Sequence, residues 1–268
     1  MRIRKWKKVA FMPRLITSSF RALPNFILIG AQKGGSSALY KFICEHPKVK
    51  RAFIKEPHYF SGRHKTDSLN WYRALFPLKQ ANTITGEASP SYITHPLSPL
   101  RIKDLLPQAK LILIVRNPVE RALSNYFHSV KYNREDLSIE KAFARPIADF
   151  ELEYNKMRDN DGYHSQFYYR HGYIHKGFYD FHLANWYMHF AKEQLLVVEN
   201  NELLNEPEKV YNKVLDFLEL EPFRPDAFNK VNVGSTKKVD EGLKEELAQY
   251  FETSNQRFFE MIGKTYDW

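Results

Sequence analysis

Short apolar runs recur along the chain, and helically spaced apolar positions lie between them. The runs at 26–29, 111–115 and 195–198 are unbroken, which is typical of parallel strands buried on both faces. Weaker strand signals lie at 49–54 and 83–87. Because strands and helices alternate, we predict an α/β fold, a single domain with a mostly parallel, doubly wound sheet.

The helical pattern predicts helices at 36–46, 70–76, 98–106, 119–132, 178–190, 202–218 and 243–262. Residues 133–176 are charged and aromatic, and their periodicity predicts no particular element. A chain of 268 residues is long enough to bury one ample core. We therefore divide it into a basic, amphipathic N-terminal tail at 1–24 and one domain at 25–268.

A glycine-rich turn follows the first strand and leads into a helix that begins with hydroxyl residues. Gly34 and Gly35 end the turn, and Ser36 and Ser37 open the helix. Free backbone N–H groups and the positive end of the helix dipole would converge there, which makes this P-loop-like segment a predicted anion site. Its lysine, Lys33, stands inside the loop, whereas a nucleotide triphosphatase has lysine directly before the hydroxyl residue. The pattern therefore favours a phosphate ligand other than a kinase's triphosphate.

The second core strand runs into Arg116-Asn-Pro118 and then a helix carrying Ser124. This segment could simply cap the helix, but the carboxyl ends of parallel strands meet at one edge of the sheet. We therefore expect both loops to face one ligand with at least two anionic groups. A magnesium-dependent phosphoryl transferase usually has an aspartate at such a strand end. Arg116 stands there instead, so no metal is expected.

The net charge of +9 belongs mostly to the tail. Residues 1–24 carry seven basic residues and no acid, and the rest of the chain has 33 basic against 31 acidic residues, about +2. Nucleic-acid binding therefore loses its main support. The tail predicts either a peripheral membrane contact or a solvated lead-in. Lacking a signal peptide or spanning segment, the sequence predicts a cytoplasmic location or a peripheral one at the inner membrane face.

Three separated motifs, in this order, resemble PAPS-dependent carbohydrate sulfotransferases: Gly30-Ala-Gln-Lys-Gly-Gly-Ser-Ser37, Lys55-Glu-Pro-His-Tyr-Phe60 and Arg116-Asn-Pro-Val-Glu-Arg-Ala-Leu-Ser124. The sequence is most similar to the heparan sulfate N- and 3-O-sulfotransferase branch, over roughly residues 25–268. The resemblance implies a sulfonate transfer from PAPS to a hydroxyl, or less readily an amine, of a glycan or glycolipid. PAP would be the product.

The resemblance also implies a role for each matched residue. Lys33 and its loop would hold the 5′-phosphosulfate, and Arg116 with Ser124 the 3′-phosphate. Glu56 matches the catalytic carboxylate, which would take the proton of the acceptor hydroxyl. His58 would orient Glu56 or contact the acceptor, or else it is a loop histidine satisfied by backbone. Lys237 and Lys238 lie where the family has a basic loop that closes over the nucleotide; the alternative is a solvated basic turn.

The sequence departs from this family where the heparan enzymes have Glu-Lys-(Thr/Ser), because Glu87-Ala-Ser89 lacks the lysine. A highly sulfated heparan acceptor is therefore not favoured. Two alternatives remain. A P-loop kinase would bind ATP with magnesium, and a non-catalytic module would bind PAP or another anion without turnover.

Overall fold

A computed structural model describes residues 5–62, 68–225, 228 and 239–268, and the side chains from residue 9 onward within them. Lys237 and Lys238 lie outside the described residues, so their predicted role stays a prediction. No described helix is both long and apolar enough to cross a membrane.

The strands form one five-stranded parallel sheet in the order β2-β3-β1-β4-β5. They are β1 (Phe26–Gly30), β2 (Val49–Arg51), β3 (Ile84–Ala88), β4 (Lys110–Val115) and β5 (Leu195–Glu199). The central strands β1 and β4 are almost completely buried, because their unbroken apolar runs are covered on both faces. The predicted parallel α/β sheet is confirmed.

Helices cover both faces of the sheet. They are α1 (Lys5–Ile16), α2 (Ser36–Ile43), α3 (Leu69–Ala74), α4 (Ser98–Leu105), α5 (Pro118–Lys131), α6 (Ile139–Phe143), α7 (Ile147–Asp159), α8 (Gln166–His171), α9 (Tyr179–Tyr187), α10 (Asn200–Asn205), α11 (Pro207–Phe217) and α12 (Glu241–Ile262), with short 3₁₀ turns at Ser18–Phe20, Tyr59–Ser61, His175–Gly177 and Lys192–Gln194. The single helix predicted at 202–218 is wrong, because Pro207 separates two helices there.

Alternate side chains of the strands build two cores. Ile27 and Ile29 face a layer that includes α3, α4, α9 and α12, whereas Phe26 and Leu28 face α2 and α11. This alternation is the geometry of a doubly wound sheet. It leaves the carboxyl edge of the strands open for loops.

The N-terminal segment packs on the domain through α1. Phe11 is buried and its ring lies 5.9 Å from that of Phe53 and 6.1 Å from that of Trp71. Arg14 donates to the carbonyl oxygens of Ala74 and Phe76 at 2.6 and 2.7 Å. The described side chains of this segment therefore pack on the domain. The proposed boundary at residue 24 stays a prediction.

Candidate active site

The glycine-rich loop and the arginine loop leave the sheet side by side. Strands β1 and β4 are parallel neighbours, with Phe26 opposite Lys110 and Leu28 opposite Ile112. The N–H of Ala31 donates to the carbonyl of Ile114 at 2.7 Å, which fastens the start of the glycine loop to β4. The two predicted anion-binding loops therefore share one edge of the sheet.

The glycines of this loop are required by close packing. A Cβ on Gly34 would stand 2.5 Å from the carbonyl oxygen of Ile114, and Gly35 has a φ of 104°, which disfavours side chains. Asn200, the first residue after β5, donates from Nδ2 to the carbonyl of Gly34 at 3.0 Å. Sequence reasoning missed Asn200, although its position after the third apolar run pointed to this edge.

The start of α2 offers unused donors. Within the described part of the chain, the backbone N–H groups of Gly35, Ser36 and Ser37 donate no hydrogen bond. Unsatisfied N–H groups at a helix start form a ready anion site. Ser36 is buried, and the hydroxyl of Ser37 accepts a hydrogen bond from Lys55 Nζ. The geometry is suited to a phosphate or sulfate group.

Positive side chains converge on the same site. Burial lowers the pKa of Lys33, and the nearby charges of Arg116 and Lys131 lower it further. The clustering of these three cations costs energy unless an anion lies between them. Lys131, at the end of α5, was not predicted from the sequence. Ser124 lies partly exposed on the same helix.

The arginine loop also has a structural role. The side chain of Asn117 caps α5 by accepting from the N–H groups of Val119 and Glu120 at 2.9 and 3.3 Å. Arg116 Nε donates to Glu120 Oε2 at 2.9 Å. The helix-capping alternative therefore holds for Asn117, while Arg116 keeps its charge close to Lys33.

The carboxylate of Glu56 lies between a lysine and a histidine. Its Oε1 is 3.0 Å from Lys55 Nζ and its Oε2 is 3.7 Å from His58 Nε2. Burial opposes ionisation of Glu56, but His58 and Lys55 outweigh it and lower the pKa to about 2. Lys55 contacts both Glu56 and Ser37, so it links the Glu56 loop to the start of α2.

His58 contacts a second side chain through Nδ1, the ring nitrogen that does not face Glu56. Its Nδ1 lies 3.0 Å from Ser91 Oγ, so its ring spans Glu56 and Ser91. The alternative of a histidine satisfied only by backbone is not what the structure shows. Glu56 and His58 both have positive φ, at 58° and 55°. This unusual backbone for non-glycine residues directs a tight cluster of polar side chains.

His128 shows that the Glu56 loop and the cationic loops meet. Burial lowers the pKa of His128, and the charge of Lys33 lowers it further, whereas the carboxylate of Glu56 acts in the opposite direction. His128 on α5 is therefore within electrostatic reach of both. It is a further site residue that the sequence did not indicate, because only the packing of α5 brings it here.

A buried carboxyl group supports the Glu56 loop from behind. Glu87 is fully buried and accepts from the hydroxyls of Tyr72 and Ser89, each at 2.7 Å, and Tyr92, at 3.2 Å. Burial raises its pKa to about 7, although these hydroxyls oppose the shift. Ser89 Oγ in turn accepts the backbone N–H of His58 at 3.3 Å. Glu87 thus positions the loop without touching the open site.

Within the described residues, no three His, Cys, Asp or Glu side chains are grouped so that they could hold a metal ion. The site therefore consists of two adjoining anion-binding loops, several cations and a carboxylate held beside them.

This fold and site define an enzyme of the group-transfer class, and comparison with known proteins identifies its family. The chain belongs to the sulfotransferase domain family, whose model matches residues 23–262. The resemblance found in the sequence is confirmed.

Individual relatives agree with this assignment. Human heparan sulfate glucosamine 3-O-sulfotransferase 3B1 is 32% identical over 275 residues, covering 94% of this chain and 66% of that protein. The human 3-O-sulfotransferase 3A1 is 31% identical over 278 residues, which covers 95% of this chain and 64% of that protein. The chain thus spans just under two thirds of the length of these relatives. The crystal structure of a sulfotransferase from Alicyclobacillus acidocaldarius has a TM-score of 0.74 at 27% identity and covers 91% of this chain and 98% of that one.

Proposed function

We propose that the protein transfers the sulfonate of PAPS to a hydroxyl of a glycan or glycolipid and releases PAP. The observation that carries the proposal is the meeting of two anion-binding loops beside the carboxylate of Glu56. PAPS has anionic groups at its 5′ and 3′ positions, which suits two adjoining cationic loops. Membership of the sulfotransferase domain family supports the same reaction.

The residues around the glycine loop fit the sulfate-bearing end of PAPS. The free N–H groups at the start of α2 and the ammonium of Lys33 would hold the 5′-phosphosulfate, with Ser37 supplying a hydroxyl. Arg116 and Ser124 would hold the 3′-phosphate. Lys237 and Lys238 would close over the nucleotide. The cations repel one another in the free protein, so binding an anion here relieves that repulsion.

Glu56 acts as the general base in this proposal. It takes the proton of the acceptor hydroxyl while that oxygen forms a bond to sulfur and the bond from sulfur to the 5′-phosphate oxygen breaks. The electron pair of the broken bond goes to the phosphate oxygen, and Lys33 stabilises the negative charge there. The ion pair with Lys55 weakens Glu56 as a base. An acceptor hydroxyl that displaces Lys55 from Oε1 restores its basicity.

The acceptor is proposed to be a glycan of lower charge than heparan sulfate. Two of the relatives are named as heparan sulfate glucosamine 3-O-sulfotransferases, which supports a sugar acceptor. However, Ala88 replaces the lysine that the heparan enzymes have, and its side chain is fully buried. No cation is supplied from this strand end to an acidic sugar.

The test is transfer of labelled sulfonate from PAPS to a panel of saccharides and glycolipids, read by mass spectrometry. Glu56→Gln should reduce turnover by about 10²- to 10⁴-fold while PAP still binds. Glu219→Gln is the matched control, because Glu219 also has a positive φ, of 57°, and pairs with Lys110 at 2.7 Å. Undiminished transfer by Glu56→Gln contradicts the mechanism. PAP binding without any turnover by the unaltered protein would favour the non-catalytic module.

A further inference from the structure

The outer face of α1 is apolar. Val9, Met12 and Ile16 are 77%, 60% and 82% exposed, and their spacing places them on one side of the helix. Phe20, in the following 3₁₀ turn, is 70% exposed, and Leu78, whose backbone is bridged to Arg21, is 53% exposed. We call these residues the α1 face. Scattered exposed apolar residues are normal, but a stripe at helical spacing is not.

The α1 face is held firmly because the opposite side of the helix is anchored. Phe11 is buried against aromatic rings. The guanidinium of Arg14 donates to two carbonyl groups, that of Ala74 at the end of α3 and that of Phe76 just after it. Arg21 also donates to the carbonyl of Phe76, at 2.9 Å. The apolar stripe therefore projects outward by construction.

The two sequence segments that supply the α1 face carry charge of one sign. Residues 1–24 contain seven basic residues and residues 68–86, which include α3 and Leu78, contain two; neither segment contains an acidic residue. Exposed apolar side chains in a segment rich in basic residues are the combination that binds an anionic bilayer. A second copy of the chain would bring the same positive charges face to face, which disfavours self-association.

We propose that the α1 face binds an anionic lipid surface, with the apolar stripe inserted among the lipid headgroups. The position of α1 gives this contact a use. Phe11 touches Phe53, which is only three residues before Glu56. The helix α1 thus packs against the segment that leads into the loop of the proposed base, and a bilayer on its outer face would present a lipid-linked sugar to this side of the domain. The lipid contact itself does not depend on the catalytic proposal.

The test is sedimentation of the full chain with vesicles of phosphatidylcholine, with and without phosphatidylglycerol. We expect binding only to the anionic vesicles, and weakening at high salt. The triple variant Val9→Gln, Met12→Gln, Ile16→Gln keeps good helix formers and should bind at least about tenfold more weakly. The matched control is Leu152→Gln, Met188→Gln, Leu204→Gln, which removes exposed apolar side chains elsewhere.

Each outcome decides the proposal. Loss of vesicle binding in the α1 variant but not in the control variant supports it, provided that both variants keep the melting temperature of the unaltered protein. Absence of binding to anionic vesicles, or equal binding by both variants, overturns it. So does a concentration-dependent dimer that the α1 variant abolishes while vesicles stay unbound. Because vesicle binding is measured without PAPS, the result is separate from that of the transfer assay.

Discussion

Replacing Lys33 by asparagine should stabilise the free protein while damaging its donor site. Lys33 has a φ of 72°, in the left-handed region that non-glycine residues avoid and that asparagine tolerates better than most. It also lies close enough to Arg116 and Lys131 for their charges to lower its pKa, so that the three cations repel one another. Both penalties fall when the lysine is removed.

The magnitude follows from these two terms. Easing the left-handed backbone is worth about 0.5–1 kcal/mol. Removing one of three partly solvated cations adds up to about 0.5 kcal/mol. A gain of about 1 kcal/mol raises the melting temperature of a chain of this size by about 2 °C. Losing a charged hydrogen bond to phosphate costs about 1.5–3 kcal/mol of binding, so PAP should bind about 10- to 100-fold more weakly.

The assay is thermal unfolding with and without PAP, together with calorimetric titration of PAP. Lys33→Arg is the control, because it keeps both the positive charge and the penalty of the left-handed backbone. It should melt like the unaltered protein. The reasoning is refuted if Lys33→Asn melts at a lower temperature than the unaltered protein without PAP, or if it binds PAP with unchanged affinity.

Other predictions test the carboxylates and the glycine loop. Because the pKa of Glu56 is about 2, the carboxylate stays ionised and kcat/KM should not change between neutral pH and about pH 4. Lys55→Met removes a neighbouring positive charge and should raise that pKa towards 4.5, so that kcat/KM falls at acidic pH within the range of a pH–rate profile. Gly34→Ala should destabilise the protein by about 1–3 kcal/mol in denaturant and weaken PAP binding in titrations, because the added Cβ would meet a backbone carbonyl. Gly242→Ala, at the start of α12, is the control: its Cβ would meet only a side-chain oxygen, that of Asp240 at 3.0 Å, so it should cost less stability and leave PAP binding unchanged. Glu135, a buried carboxylate after α5, is hydrogen-bonded to Arg145, His171 and Tyr173. Burial opposes its ionisation, but these partners lower its pKa to about 2. Its stabilising effect should therefore be complete above pH 4.5 and be lost as the pH falls towards 2, and Glu135→Gln should remove that pH dependence from the melting temperature.

Local pattern was sufficient for the sheet and for the meeting of its loops. The runs at 26–29 and 111–115 are apolar at every position, which is what a strand covered on both faces requires. Once two such strands are parallel neighbours, the loops after them must share an edge. The shared edge of the glycine loop and Arg116 therefore followed from sequence, whereas the adjacency of β1 and β4 is shown only by the structure.

Contacts between distant segments were beyond the reach of local pattern. The bond from Lys55 to Ser37 depends on how the loop after β2 folds over α2, and the approach of His128 to Lys33 depends on how α5 packs. Neither contact leaves a periodic pattern of residues in the sequence. The break at Pro207 is different, since proline disfavours a helical residue before it and the signal was present in the sequence.

The conformation of the glycine-rich loop depends on Asn200, which is distant in the chain. Its side-chain amide donates to the carbonyl of Gly34, so the glycine loop is held by a residue that is synthesised much later than the loop itself. A fragment that stops short of Asn200 would carry every letter of the motif and still lack the pocket. By the same reasoning, transplanting residues 30–37 alone into another scaffold should not transfer nucleotide recognition with them.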